Sequence, residues 1–245
     1  MSDPRHPQAS DSSGDRATIR DWLYDAAPAP IGLNQNRVRN HVNPFHIQYQ
    51  TPAPTPNWET AYARLHQPFH LDIGTGTGRF ALALAARHPE WNVLGVEIRQ
   101  PLVERANAWV RELNLDNVHF LFANAIVTLP HLFAPHELAR VSIQFPDPWF
   151  KKRHHKRRVV QPGLVETLAR LMKPGAPLFL QSDIEDVAVE MEARFAAHPA
   201  FENLCGSHAR IDANPLGIST HRERSCAANG LPVYRYWLER RGLQS

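Results

Sequence analysis

The sequence predicts an α/β protein in which helices cover both faces of a mostly parallel sheet. Short apolar runs alternate with helical patterns at the spacing of β-α-β units. Strands that alternate with helices at this spacing form a parallel sheet whose two faces are both covered. A glycine-rich turn, residues 74–78, directly follows the first of these runs. Because ligands of such folds bind beyond the carboxyl ends of the strands, the residues that follow strands are the candidates for function.

The 245 residues are enough for one large domain with a tail. Residues 1–30 are rich in Ser, Asp, Pro and Ala, and we expect them to be disordered. Residues 31–245 are expected to form a single domain. Within it, residues 50–57 contain three prolines and predict an irregular connector.

The apolar runs and the Gly and Pro residues between them predict six strands and four helices. The strands are predicted at residues 69–73, 92–98, 118–122, 140–145, 177–181 and 233–239. The helices are predicted at residues 80–87, 101–113, 162–172 and 183–197. Pro89 ends the first helix, and Pro101 occupies a first-turn position of the second.

Charge is distributed unevenly along the chain. The basic run, residues 151–158, holds six of the 27 Lys and Arg residues, and the chain has 24 Asp and Glu residues. The basic run alone therefore turns an otherwise acidic protein basic, which indicates a binding surface for a polyanion. A solvated segment or a localisation signal is the alternative interpretation.

The composition also argues against several classes of protein. No apolar run reaches about 18 residues, so no membrane span is expected. Cys205 and Cys226 are too few for a disulfide framework, which predicts reduced thiols in a cytoplasmic protein. The spacing of His and Cys residues indicates no metal site, so no metal is expected.

The first strand leads into a candidate cofactor turn, with Asp72 two residues before Gly74 and then Gly76 and Gly78. Glycines at this position let the backbone approach a ligand and turn tightly into a helix, although tight packing alone is the alternative. The acid suits a ligand with a cationic end better than it suits a pyrophosphate, which it would repel.

Two further strand ends carry polar residues. Glu97 ends the second strand and could accept both hydroxyls of a ribose, and Asn124 follows the third strand and could bind an adenine edge. The alternatives are a solvated carboxylate and an ordinary turn asparagine. Together with the glycine turn, these strand ends resemble the Rossmann-like class I methyltransferases. That resemblance implies a mostly parallel seven-stranded sheet with helices on both faces, and S-adenosyl-L-methionine as the cofactor.

The fourth strand ends in a rigid acidic turn, where Asp147 lies between Pro146 and Pro148. A carboxylate fixed at this edge of the sheet is a site candidate, although Pro-Asp-Pro also makes a simple structural turn. The turn leads directly into the basic run, so we interpret that run as a phosphate-contacting segment. Its predicted phosphate contacts are Arg153, His154, Lys156, Arg157 and Arg158.

The same segment is similar to the hallmark of one family, the tRNA (guanine-N7-)-methyltransferases. The matching letters are FPDPWFKKRHHKRRVVQ, and Phe150 departs from the Pro or His that the family more often has there. The resemblance extends over residues 37–235. It includes RVRNHVNPF near the start, Ser182-Asp183 after the fifth strand, and the late segment that begins at Thr220.

The resemblance implies a role for each matching position. It implies that Asp147 is the catalytic residue, lying between cofactor and guanine, and that it contacts the cofactor together with Asp72, Gly74, Gly76, Glu97 and Asn124. It implies substrate contacts from Lys151, Asp183, Thr220, His221, Arg222 and Glu223. It also implies tRNA as the partner, with guanine 46 of the variable loop as the target. Many members have Asp where this chain has Asn124.

Two other functions are weighed against this one. A non-catalytic RNA-binding protein on a methyltransferase scaffold would share the basic run, but the intact glycine turn argues against it. A methyltransferase for another acceptor is disfavoured because amino-methylating enzymes of this fold carry a different motif after the fourth strand. The sequence leaves open whether the protein is a monomer or a homodimer.

Overall fold

The protein is described by a computed structural model that covers residues 42–242. The tail predicted at residues 1–30 lies outside the described residues, as does most of the segment RVRNHVNPF. Within them, seven strands form one sheet in the order β3-β2-β1-β4-β5-β7-β6. The strands are β1 (Phe69–Ile73), β2 (Asn92–Glu97), β3 (Val118–Phe122), β4 (Leu138–Gln144), β5 (Pro177–Ser182), β6 (Phe201–Asn203) and β7 (Tyr234–Arg240).

The pairing confirms a mostly parallel seven-stranded sheet. Strands β1 to β5 pair in parallel with one another, and β7 runs antiparallel to both β5 and β6. The helices are α1 (Trp58–Ala61), α2 (Arg79–Arg87), α3 (Gln100–Glu112), α4 (Ala125–Leu132), α5 (Pro162–Leu171), α6 (Glu185–Ala196) and α7 (His221–Ala228). Short 3-10 helices span Ile47–Tyr49 and Lys152–Arg157.

The six predicted strands and four predicted helices are confirmed, with ends that differ by no more than two residues. Strand β6 and helices α1, α4 and α7 were not predicted. Helix α4 contains Pro130 within an apolar stretch, so its sequence lacks a helical period. Helix α7 is polar and weakly amphipathic, and β6 has only three residues. Residues 50–57 contain no helix or strand, as predicted.

The core lies in two apolar clusters against the sheet. One contains side chains of α2 and α3, and the other contains side chains of α4, α5 and α6. Phe120 of β3 is 1% exposed, and it packs where glycines leave room. A Cβ at Gly78 or Gly95 would come within 2.8 Å or 2.5 Å of its ring. Truncation of Phe120 to Ala is therefore expected to cost about 3–5 kcal/mol of stability.

The strand order reverses between β1 and β4. From β1 the chain adds β2 and β3 on one side of the sheet, and it then returns to add β4 on the other side of β1. The carboxyl ends of the parallel strands meet at this point, which is where such sheets bind ligands. Among residues 42–242, no helix is both long enough and apolar enough to span a bilayer.

Candidate functional site

A cavity opens where β1, β2, β3 and β4 end. It holds about 740 Å³ when the space that is open to solvent is counted. Residues from all four strand ends line it, and so does the segment before α1. Of the residues singled out from sequence, the cavity brings together Gly74, Glu97, Asn124, Asp147 and Arg157.

The glycine turn forms one wall of the cavity through its backbone. Gly74 and Gly76 have φ angles of 75° and 59°, in the left-handed region that glycine adopts without strain. The backbone N–H of Gly74 donates to the carbonyl of Val96 at 2.8 Å, which ties the turn to β2. A Cβ added at Gly74 would meet no atom within 4 Å, so this part of the turn faces open space.

Glu97 fixes the other side of the same turn. The carboxylate is 3% exposed and accepts from the N–H of Gly76 at 2.9 Å. It also accepts from the N–H and Nε of Arg99, at 3.1 and 2.8 Å. Burial lowers the pKa of Arg99, but hydrogen bonding to Glu97 and the charges of Glu97 and Asp147 raise it above its ordinary value overall. Arg99 was not predicted as a site residue, although it lines the cavity and pairs with Glu97.

Asp72 is 3% exposed and does not line the cavity, because its side chain lies within the sheet layer. It accepts from the hydroxyl of Ser142 at 2.6 Å, and His70 Nε2 lies 2.9 Å from that hydroxyl. Because Ser142 donates to Asp72, the His70 ring donates to Ser142. Burial raises the pKa of Asp72 above its ordinary value, although hydrogen bonds from Ser142, Thr75 and Gln144 lower it. Burial lowers the pKa of His70 to about 3.

A chain of buried polar side chains continues from Asp72 across the sheet. Gln144 donates to Asp72 at 3.4 Å. Gln181 donates to Gln144 at 2.7 Å and to Glu223 at 3.3 Å. Arg235 in turn donates to Glu223 at 2.8 Å and to Gln181 at 3.2 Å. The polar network, from His70 to Arg235, therefore links the acid of the glycine turn with α7.

Asn124 is the N-cap of α4 and holds a neighbouring segment. Its side-chain oxygen accepts from the N–H of Ile126 at 3.1 Å. Its amide donates to the carbonyls of Pro44 and Tyr49, each at 3.2 Å. Pro44 lines the cavity, so Asn124 positions that wall. These three bonds use its polar atoms within the protein, so the sequence-based expectation that it binds an adenine edge gains no support from its geometry.

Asp147 lies on a short loop that is held at both ends. Phe145 and Trp149, which bracket Pro146-Asp147-Pro148, have φ angles of 49° and 45°. Non-glycine residues in this region carry backbone strain that is typical of functional loops. The N–H of Phe145 donates to the carbonyl of Gln181 at 2.8 Å, and Nε of Arg158 donates to the carbonyl of Pro148 at 2.8 Å. The loop therefore keeps Asp147 on the cavity wall.

The basic run forms the 3-10 helix Lys152–Arg157 immediately after this loop. Lys151, Lys152, Arg153 and Lys156 are exposed, whereas Arg157 is half-buried against the cavity. The Arg157 guanidinium lies 5.0 Å from the ring centre of Trp149, and His154 meets the same ring edge-on at 5.8 Å. Burial and then the charges of Arg157, Arg153 and Lys151 lower the pKa of His154.

Arg158 differs from the rest of the basic run, because the structure places it inside the protein. Its side chain is 8% exposed and forms an ion pair with Glu190 of α6. With its additional bond to Pro148, it anchors the Asp147 loop to the core. Its predicted contact with phosphate therefore gains no support from its geometry, since the guanidinium has partners inside the protein.

The late segment predicted to bind substrate forms the start of α7. Thr220 is its N-cap, and Thr220 and Glu223 form a capping box. Glu223 is 6% exposed and belongs to the polar network, so its carboxylate acts within the fold. Arg222 donates to Asp183 at 3.1 Å through Nε, which pairs two of the predicted substrate residues. His221 is exposed, and burial followed by the charges of Arg224 and Arg79 lowers its pKa.

Lys151, Asp183 and the Thr220–Glu223 segment lie outside the cavity lining. Sequence reasoning missed Gln144, Gln181 and Arg235, which connect that segment to Asp72. A signal was available, because both glutamines are polar residues near the carboxyl ends of predicted strands, where ligands of such folds bind. Within the described part of the chain, no group of His, Cys, Asp or Glu side chains has the arrangement of a metal site.

Comparison with known proteins gives both close relatives and distant structural neighbours. A family model described as "Putative methyltransferase" matches residues 66–236. A tRNA (guanine-N(7)-)-methyltransferase of Synechococcus sp. (strain JA-2-3B'a(2-13)) is 66% identical over 214 residues, which cover 87% of this chain and 88% of that protein.

Among solved structures, 16S rRNA methyltransferase KamB aligns at 15% identity with a TM-score of 0.55, over 78% of this chain and 96% of that chain. A 16S rRNA (adenine(1408)-N(1))-methyltransferase from Catenulisporales acidiphilia, solved with the cosubstrate SAM, aligns at 18% identity with a TM-score of 0.52. That alignment covers 80% of this chain and 95% of the other. At these identities, the two solved structures show a shared Rossmann-like fold alone.

Proposed function

Because this chain belongs to the tRNA (guanine-N(7)-)-methyltransferase family, we propose that it transfers a methyl group from S-adenosyl-L-methionine to N7 of a guanine in tRNA. It is an S-adenosylmethionine-dependent methyltransferase with a Rossmann-like fold. One observation carries the proposal beyond the family. The loop that holds Asp147 on the cavity wall continues directly into an exposed basic helix, so the cofactor cavity and the polyanion surface share one segment.

The residues of the cavity fit this cofactor. The wall at Gly74 is open backbone that a side chain would fill, and the carboxylate of Glu97 lines the cavity beside it. A carboxylate there can accept the two ribose hydroxyls of an adenosine. The acidic side chains of Glu97 and Asp147 also favour a cationic ligand. When bound, S-adenosylmethionine supplies an electrophilic methyl group.

The chain's own residues would act mainly through placement. Guanine N7 carries an in-plane lone pair and no proton, so no general base is needed to expose the nucleophile. Alignment of the two reactants supplies much of the acceleration in such a reaction. Asp147 on the cavity wall can accept hydrogen bonds from guanine N–H groups and stabilise the positive charge that the base gains. Asp183 is proposed as a second acceptor, with Arg222 holding its carboxylate in place.

Several finer features belong to the same proposal. The family implies guanine 46 of the variable loop as the target, and a tRNA substrate favours a cytoplasmic protein. The proposed tRNA surface is Lys151, Arg153, His154, Lys156 and Arg157, with Lys152 added by its exposure. Thr220 and His221, at the start of α7, are proposed to contact the same substrate. Either a monomer or a homodimer is compatible with these residues.

The decisive test uses the full chain, radiolabelled S-adenosylmethionine and an unmodified tRNA transcript. We expect labelled 7-methylguanosine after digestion to nucleosides, and no label in a transcript that carries adenine at position 46. Label in any other nucleoside would overturn the proposed reaction. Label in 7-methylguanosine from both transcripts would overturn only the assignment of position 46.

A further inference from the structure

In the part of the chain that the structure describes, the exposed aromatic rings directly follow residues that line the cavity. Among the Phe, Tyr and Trp residues that the structure describes, those classed as exposed are Phe45, at 48%, and Phe150, at 70%. Phe45 directly follows Pro44, and Phe150 directly follows Trp149. Both Pro44 and Trp149 line the cavity. Single exposed apolar residues are ordinary on protein surfaces, but here their placement coincides with the site.

The backbone explains why Phe150 faces solvent while its neighbour does not. Trp149 has a left-handed φ of 45°, and its ring is covered by Arg157 and His154. The next side chain, Phe150, leaves the loop on the solvent side, and Lys151 follows it as another exposed residue. A large aromatic ring therefore stands between the cavity wall and the basic helix.

The surrounding charge identifies what this ring can contact. Lys151, Lys152 and Arg153 follow it directly and are exposed, so the ring's partner carries negative charge. Unpaired RNA combines a phosphate backbone with planar bases, and proteins bind such bases by stacking aromatic side chains on them. A target base that leaves its stack to enter a pocket also leaves the adjacent base without a stacking neighbour.

We propose that Phe150 stacks on the unpaired nucleobase next to the target guanine and replaces the stacking partner that is lost when the target enters the cavity. This inference rests on the proposed function, because it needs an RNA acceptor. It assigns a substrate-positioning role to the residue at which this chain departs from the hallmark segment. Phe150 acts on the RNA and takes no part in binding the cofactor.

The test compares variants that keep or remove the aromatic face. Phe150→Trp keeps it, Phe150→Leu keeps apolar bulk without it, and Phe150→Ala removes both. We expect the Leu and Ala variants to bind unmodified tRNA about tenfold more weakly, with a matching rise in KM, and the Trp variant to bind like the wild type. Affinity for S-adenosylhomocysteine and the melting temperature should stay unchanged in all three. Leu65→Ala is the matched control, since Leu65 is 41% exposed and precedes β1, at the amino end of the strand and away from the cavity.

Each contrary result overturns the inference for a different reason. If Phe150→Ala binds tRNA like the wild type, the ring does not contact the RNA. If Phe150→Ala loses affinity but Phe150→Leu retains it fully, the contact is apolar and is not stacking. If the substitutions instead shift the sedimentation of the free protein, the ring covers a second copy of the chain. A wild type that binds tRNA but forms no 7-methylguanosine would reject the proposed function, whereas an active wild type with an equally active Ala variant would reject this inference alone.

Discussion

The cofactor side and the acceptor side of the cavity are built in opposite ways. On the cofactor side, Glu97 and Asn124 are buried and bonded to the protein's own backbone, and the wall itself is glycine backbone. On the acceptor side, the basic helix presents long side chains to solvent. The small ligand therefore meets a preformed surface, and the large one meets a surface that must be ordered on binding.

This difference has an energetic meaning. Rigid groups that already have hydrogen-bond partners lose little conformational entropy when a ligand binds, so the cofactor side needs little ordering to bind its ligand. Long Lys and Arg side chains lose about 1.5–2 kcal/mol of rotamer freedom each when they are ordered fully. Binding of RNA can offset that loss by releasing counterions, which makes acceptor binding depend on salt.

Asp147 stands where the two sides meet, so its removal should have the largest effect. We expect Asp147→Ala to lower kcat by at least about 10³-fold, because the carboxylate no longer stabilises the charge on guanine. The fold and the affinity for S-adenosylhomocysteine should persist, measured by thermal unfolding and calorimetry. Asp116→Ala serves as a control, since Asp116 pairs with Arg64 at the surface before β3. Turnover like that of the wild type in the Asp147 variant would remove the basis of its assignment.

Glu97→Gln should affect the cofactor side alone. The substitution removes a charge that holds Arg99 and the Gly76 N–H, so affinity for S-adenosylhomocysteine should fall about 10- to 100-fold. Affinity for tRNA, measured by anisotropy, should change little. Glu104→Gln is the matched control, because Glu104 is exposed on α3 and accepts a hydrogen bond from Gln100 in the same helix. Unchanged cofactor affinity would refute the role of Glu97.

The basic run should divide into an RNA-facing part and a structural part. Replacing Lys152, Arg153 and Lys156 by Gln should flatten the slope of log K against log salt by about 2–3, because each phosphate contact contributes roughly 0.7–0.9. Arg158→Gln should leave that slope intact and instead lower the free energy of unfolding by about 1.5–3 kcal/mol, since it removes the ion pair of the buried Arg158 with the half-buried Glu190. Equal effects of both variants on the salt slope would contradict the division.

His70 gives the smallest and most specific effect, which appears in stability against pH. Burial lowers the pKa of His70 in the folded protein to about 3, below the ordinary value of 6.5, so the unfolded chain takes up the proton first as the pH falls. Stability should therefore be complete above pH 6.5 and be lost progressively below it, by up to about 2 kcal/mol at pH 5. His70→Gln should make this acid loss shallower in urea unfolding, and the exposed His66→Gln should not. The same acid loss in the His70 variant would rule this histidine out as its source.

Sequence reasoning succeeded where a local pattern determines the structure. Apolar runs such as that of β2 and the glycine turn specify strands and their ends without tertiary information, and they locate Glu97 and Asp147 at one edge. Helix α4 was not predicted, because Pro130 interrupts the helical pattern of its sequence and the helix forms through its packing against the rest of the fold. The burial of Arg158 could not be inferred, because its partner Glu190 lies 32 residues away on another element. Charge alone does not distinguish an anchoring arginine from a phosphate-binding one.

The polar network also has a consequence for how the protein can change. Its members Gln144 and Gln181 each serve as both donor and acceptor inside a low-dielectric sheet layer. An apolar replacement of either glutamine leaves a polar atom of the other without a hydrogen-bond partner. The two positions are therefore mutually dependent, and the effects of their substitutions on stability will not add. In laboratory evolution of this enzyme, single substitutions of either glutamine should therefore be selected against. Active variants that change one glutamine should also carry a compensating change in the other.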